Sequence, residues 1–115
     1  MFRLVLIALI LLPVFPVLSK ETGSEILAVF QKNCIQCHGK DGKVKGKVNL
    51  LEIKSVEDLS DHPELLQEIV EVIDFEEMPP EDEPQLDPEA RVKLLKDLES
   101  LLHQSVAGKK AYTQA

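Results

Sequence analysis

Large side chains are scarce in this 115-residue chain, which has no tryptophan, one tyrosine and four phenylalanines. Phe2 and Phe15 fall in an N-terminal apolar stretch, so Phe30, Phe75 and Tyr112 are left for the rest, and Tyr112 stands almost at the C-terminus. A small domain so poor in aromatics needs a staple or a cofactor to complete its core. Long hydrophobic runs are missing as well. The run from Leu4 to Leu18 is broken by Pro13 and Pro16, and it is shorter than the ~20 apolar residues of a membrane span. No segment reads as a convincing strand. There are only two cysteines, Cys34 and Cys37, so no second CxxC is present to complete a four-ligand zinc site.

Charge of one sign is missing over long stretches. Glu57 to Glu89 contains fourteen acids and no Lys or Arg, whereas Lys32 to Lys54 contains six lysines with only Asp41 and Glu52 as acids. One reading is a molecule with a basic and an acidic side that steer it onto a partner. The other is two solvated surfaces on an exported protein. The net charge of −7 and the lack of aromatics among the lysines argue against nucleic-acid binding. The acidic stretch lacks the Asp-x-Asp-x-Asp-Gly order of a calcium loop.

The chemistry that is present is concentrated in one pentapeptide, Cys34-Ile35-Gln36-Cys37-His38. CxxCH is the attachment pattern of a c-type haem. Two thiols a helical turn apart lie on one side of the backbone, where they can form thioethers along one edge of the ring. His38 then offers an imidazole nitrogen to the iron. Two other uses of CxxC compete. A zinc site would have to recruit His38, His62 and His103 at irregular spacing. A redox dithiol belongs after a strand in a βαβ unit, and none is visible.

The N-terminus agrees with the haem reading. Arg3, the apolar run and Val17-Leu18-Ser19 have the order of a signal peptide, expected over residues 1–19. Covalent haem ligation in bacteria takes place outside the cytoplasmic membrane, so the expectation is an exported, periplasmic protein. It touches the membrane only if the N-terminal segment is retained. The mature chain, about 96 residues from Lys20, suffices for one small domain, and its haem-free form is expected to fold poorly.

The periodicity is helical. Thr22 and Glu25 read as a capping box before Ile26, Leu27, Val29, Phe30 and Cys34, and Gly39 lets the chain leave the CxxCH turn. A second helix is expected from Asp61-His62-Pro63, with Leu65, Leu66, Ile69, Val70 and Ile73 on its apolar face. A third is expected from Asp87-Pro88, with Val92, Leu94, Leu95, Leu98, Leu101 and Leu102 inward. The pattern fades beyond Leu102, which predicts a domain over 20–103 and a flexible tail over 104–115.

The far side of the iron needs its own ligand. Outside the signal segment there is one methionine, Met78, set in Glu77-Met78-Pro79-Pro80. A residue before proline is pushed into extended geometry, and the two prolines stiffen the strap beyond it. Such a strap can hold a thioether at a fixed distance from a metal, and His/Met ligation raises the reduction potential. Met78 as a gap-filler in the core, and His62 or His103 as the ligand instead, are the competing readings.

Taken together, Cys34-Ile-Gln-Cys37-His38-Gly39, Lys45-Gly46-Lys47-Val48-Asn49-Leu50 and Glu77-Met78-Pro79-Pro80-Glu81-Asp82-Glu83-Pro84-Gln85 resemble a monohaem class I cytochrome c. More narrowly, they resemble the planctomycete-type cytochrome c domain. The resemblance covers roughly residues 24 to 102. It implies an all-α, small cytochrome c-like fold of three to four helices around one covalent haem c. It also implies His38 and Met78 as axial ligands and an electron-transfer role with redox partner proteins. Class I domains usually carry an aromatic where the last helix crosses the first; here that helix is leucine-rich. No larger domain follows in this chain, so a separate carrier is expected, or a haem subunit docked on a larger exported oxidoreductase. A ligand-sensing haem protein is the alternative if Met78 does not ligate. No acid/base pair or nucleophile accompanies the haem motif, so no enzyme activity of its own is expected.

Overall fold

A computed structural model describes residues 20–113. The expected signal segment, 1–19, lies outside the described residues. The described residues form four α-helices: α1 (Lys20–Val29), α2 (Val56–Ser60), α3 (Pro63–Asp74) and α4 (Pro88–Thr113). No strand occurs among the described residues, and the one antiparallel bridge joins His38 to Val44. The fold is all-α, as the periodicity predicts.

Thr22 is not the cap its spacing with Glu25 predicts. α1 already includes Lys20, so Thr22 is an interior residue. Glu25 instead forms an ion pair with Lys93 of α4, which also holds Asp97 at 2.8 Å. Past Val29 the helix widens into a π-turn, Phe30–Cys34, in which Ile35 N donates to Phe30 O at 3.0 Å. The chain then runs through short 3₁₀ turns to α2.

α2 has no counterpart in the apolar periodicity, but it has a cap. Ser55 Oγ accepts from Asp58 N at 3.2 Å, and Asp58 Oδ2 accepts from Ser55 N at 3.0 Å, a reciprocal capping box. α3 starts as expected, with Pro63 in its first turn, and buries Leu66, Ile69 and Ile73. α4 also starts as expected: Asp87 Oδ2 accepts from Glu89 N at 3.2 Å. Its inward stripe is Leu94, Leu98 and Leu101. Val92, expected inward, is 68% exposed because it lies off that stripe. The helix does not stop near Leu102 but continues to Thr113. No proline interrupts residues 103–113, and Ser105 Oγ donates to Ser60 O at 2.5 Å, which ties the extension to the end of α2.

The core gathers Ile26 and Phe30, Leu50, Leu59 of α2 and the stripes of α3 and α4. Phe30 is the one aromatic among these buried core residues. α1 approaches α2 at Gly23, where a β-carbon would collide with Val56 Cγ2. The shared effect of these packings is to bring the end of α1, the inner face of α3 and the start of α4 around one space.

Candidate functional site

The CxxCH turn opens on that space, and its backbone is held from both sides. His38 N donates to Cys34 O at 3.1 Å, and His38 O accepts from Leu50 N at 2.7 Å. Cys37 O accepts from Lys45 N at 3.1 Å. Gly39 follows with φ of 152°, and a β-carbon there would stand 2.7 Å from Leu51 Cγ and 2.9 Å from Asn49 Oδ1. Only glycine combines that backbone with that close approach. The turn that presents His38 thus depends on a residue with no side chain.

Burial pushes the Cys34 thiol up to about 11. A redox dithiol needs the opposite, a thiol whose charged form is favoured. A thioether sulfur carries no charge, so the same burial does not oppose it. The zinc reading also loses its partners, since no group of three or more His, Cys, Asp or Glu among the described residues could hold a metal ion.

The space is a cavity of about 390 Å³ lined by Cys34, Cys37, His38 and Met78 together. Its walls are mostly apolar, with Phe30, Leu50, Ile69 and Ile73 of α3, Pro79 and Pro80 of the strap, and Leu94 of α4, and with Lys32, Gln36, Glu68 and Glu83 among the polar residues that also line it. His62 and His103 do not line it; both are exposed, His62 at the N-terminal edge of α3 and His103 on α4. Met78 stands forty positions after His38, and the fold returns the two to one cavity.

These residues fit a haem. The donor set consists of two thiols, an imidazole and a thioether, and the remaining wall suits a flat apolar ring. His38 Nδ1 is buried without a hydrogen-bond partner, a condition that normally costs about 1–3 kcal/mol. Such an orphan in an otherwise satisfied fold marks a side chain whose place is set by something besides protein hydrogen bonds.

Met78 is held by its backbone. Met78 N and Glu77 N both donate to Val72 O at 2.9 Å, and the Met78–Pro79 peptide bond is cis. Arg91 Nη1 donates to Ile73 O at 2.8 Å and to Met78 O at 3.3 Å. Gln85 Nε2 donates to Pro79 O at 3.1 Å and to Pro80 O at 2.7 Å. Neither Arg91 nor Gln85 stands out as a site residue in the sequence. The available signal was Arg91 itself, the first basic residue after the acid-only stretch that ends at Glu89.

Among the described residues, no helix is long and apolar enough to cross a membrane. A family model described as cytochrome C oxidase, cbb3-type, subunit III matches residues 21–96, a span that contains Cys34, Cys37, His38, Met78 and Arg91. No curated protein and no solved structure matches the chain.

Proposed function

The chain belongs to the family of cytochrome c domains described as cytochrome C oxidase, cbb3-type, subunit III, and from that membership we propose a specific carrier. It is an exported, single-haem electron-transfer protein whose iron is ligated by His38 and Met78. The family carries covalent haem c and moves electrons between redox partners. The finer reading rests on one observation: Cys34, Cys37, His38 and Met78 line a single cavity that His62 and His103 do not reach.

Each residue has a distinct task. Cys34 and Cys37 would hold the ring through thioethers, and the hydrogen-bonded turn around them fixes the backbone that presents His38 to the iron. Met78 would be the second iron ligand. Its neutral soft sulfur favours ferrous iron and so raises the reduction potential. A haem held by these residues would supply reversible one-electron Fe(III)/Fe(II) chemistry between a donor and an acceptor protein. The apolar part of the wall would limit the access of water to the bound group. In the same proposal, residues 1–19 are a signal peptide and 20–103 the cytochrome domain. The planctomycete-type character belongs to this proposal too, through the Met78-Pro79-Pro80-Glu81 stretch.

The test is the ferrous spectrum of the holoprotein at neutral pH with and without carbon monoxide. A filled sixth position predicts no change. A carbon monoxide spectrum at neutral pH would point to an open site and to the ligand-sensing alternative.

A further inference from the structure

Resting on the reading of Met78 as an iron ligand, we propose that Arg91, assisted by Gln85, is the positioning residue that keeps the Met78 thioether on the iron. A neutral thioether has no charge with which to hold a metal. Its residence at the iron therefore depends on how firmly the chain confines it. Met78 is confined at both ends of its own residue: its N–H donates to Val72 O at 2.9 Å and its carbonyl accepts from Arg91 at 3.3 Å. The stronger anchor of that guanidinium is Ile73 O at 2.8 Å, so one side chain joins the strap to the last turns of α3. Arg91 sits in the first turns of α4, a rigid element.

Gln85 extends the same device. Its oxygen accepts from Arg91 Nη2 at 3.4 Å. Its amide donates to Pro79 O at 3.1 Å, Pro80 O at 2.7 Å and Glu83 O at 3.0 Å. The two prolines after Met78 have no N–H of their own to donate, so their carbonyls are the only handles by which that part of the strap can be gripped. Both are taken by Gln85.

The choice of partners is informative. Fourteen acids precede Arg91 between Glu57 and Glu89, yet among the described residues the hydrogen bonds of its guanidinium go to none of them. Arg91 directs its donors to main-chain carbonyls and one amide. A planar guanidinium can reach three acceptors at fixed angles, which a lysine ammonium on a flexible stem does not reproduce. Arg91 is thus placed to govern how readily the sixth position opens, without touching the iron.

The experiment is an imidazole titration of ferric holoprotein, followed through the near-infrared sulfur-to-iron absorption. Wild type should show the band and bind imidazole weakly. Arg91→Met should keep its covalent haem but bind imidazole on the order of tenfold more tightly, the scale of one lost charge-assisted hydrogen bond. Arg91→Lys should resemble Arg91→Met more than wild type. A purely structural role would lower the denaturation midpoint and leave the imidazole affinity unmoved, which overturns the proposal. If wild type itself lacks the band, the Met78 ligation falls first, and this inference with it. Should Arg91→Met fail to accumulate as folded holoprotein, Gln85→Leu is titrated instead. A tighter affinity in that variant supports the clamp, and an unchanged one overturns it.

Discussion

At the scale of single residues, the proposed ligation depends on which side chains line the cavity. Among the described residues Met78 is the one thioether at the cavity, which His38 also lines. Met78→Ala should abolish the near-infrared sulfur-to-iron band and lower the midpoint potential. The fall should be a sizeable step on the roughly 0.8 V scale that axial ligands command. His62→Ala and His103→Ala should leave both unchanged, since neither side chain lines the cavity. Spectroelectrochemistry of the three variants decides the matter: a potential that survives loss of Met78 but shifts with either histidine would reverse the assignment. The residues of this site were legible because their chemistry is local. CxxCH is contiguous, and a methionine before two prolines is conspicuous in a chain with so few candidates. Arg91 and Gln85 were not legible, because their roles exist only once α4 has folded back on the strap. Nothing in the spacing of Arg91 from Met78 announces a shared hydrogen bond.

At the scale of elements, strong caps and apolar stripes were readable, and short or tertiary-dependent features were not. α3 and α4 begin at Pro63 and Pro88 because proline presets the first helical turn. α2 is too short to show a periodic stripe, and its only signal is the Ser55-x-x-Asp58 box. The Thr22–Glu25 box has the same form but is not used, because α1 already includes Lys20 and Thr22 is interior to it. A capping pattern works only where the helix begins at it. The α2 box is testable. Ser55→Ala should lower stability by about 1 kcal/mol, the usual cost of a lost helix cap, read as a shifted denaturation midpoint at constant slope. Asp58 adds a pH dependence. The Lys54 backbone N–H, donating at 2.9 Å, is the main cause that holds its carboxyl below the ordinary 3.8, with Ser55 contributing. A carboxyl held low stabilises the fold above its ordinary value and loses that contribution as pH falls through the lower, folded value. Asp58→Asn should therefore flatten the acid limb of the stability profile below about pH 4. An unchanged limb would assign it to other carboxylates.

At the scale of the whole molecule, the scarcity of aromatics and the haem site are one fact. The buried core residues are aliphatic apart from Phe30, and several of them also face the cavity. A domain arranged in this way uses its cofactor as a wall of the core, so function and stability draw on the same surface. The overall all-α architecture was foreseeable from periodicity. The extent of α4 was not, because the fading of an apolar stripe says where burial ends and not where a helix does. Ser105, reaching Ser60 O, holds part of that extension with a hydrogen bond that hydropathy cannot report.

Covalent haem attachment, on which every other role depends, is decided by the mass of the denatured chain. The protein is to be produced with an exported haem-ligation system, unfolded and analysed by intact mass and haem-stained denaturing gel. One haem should be retained on the unfolded wild-type chain, and none on the Cys34→Ser/Cys37→Ser double variant. A wild-type chain that sheds its haem on unfolding, or never carries one, would contradict the attachment and with it the carrier.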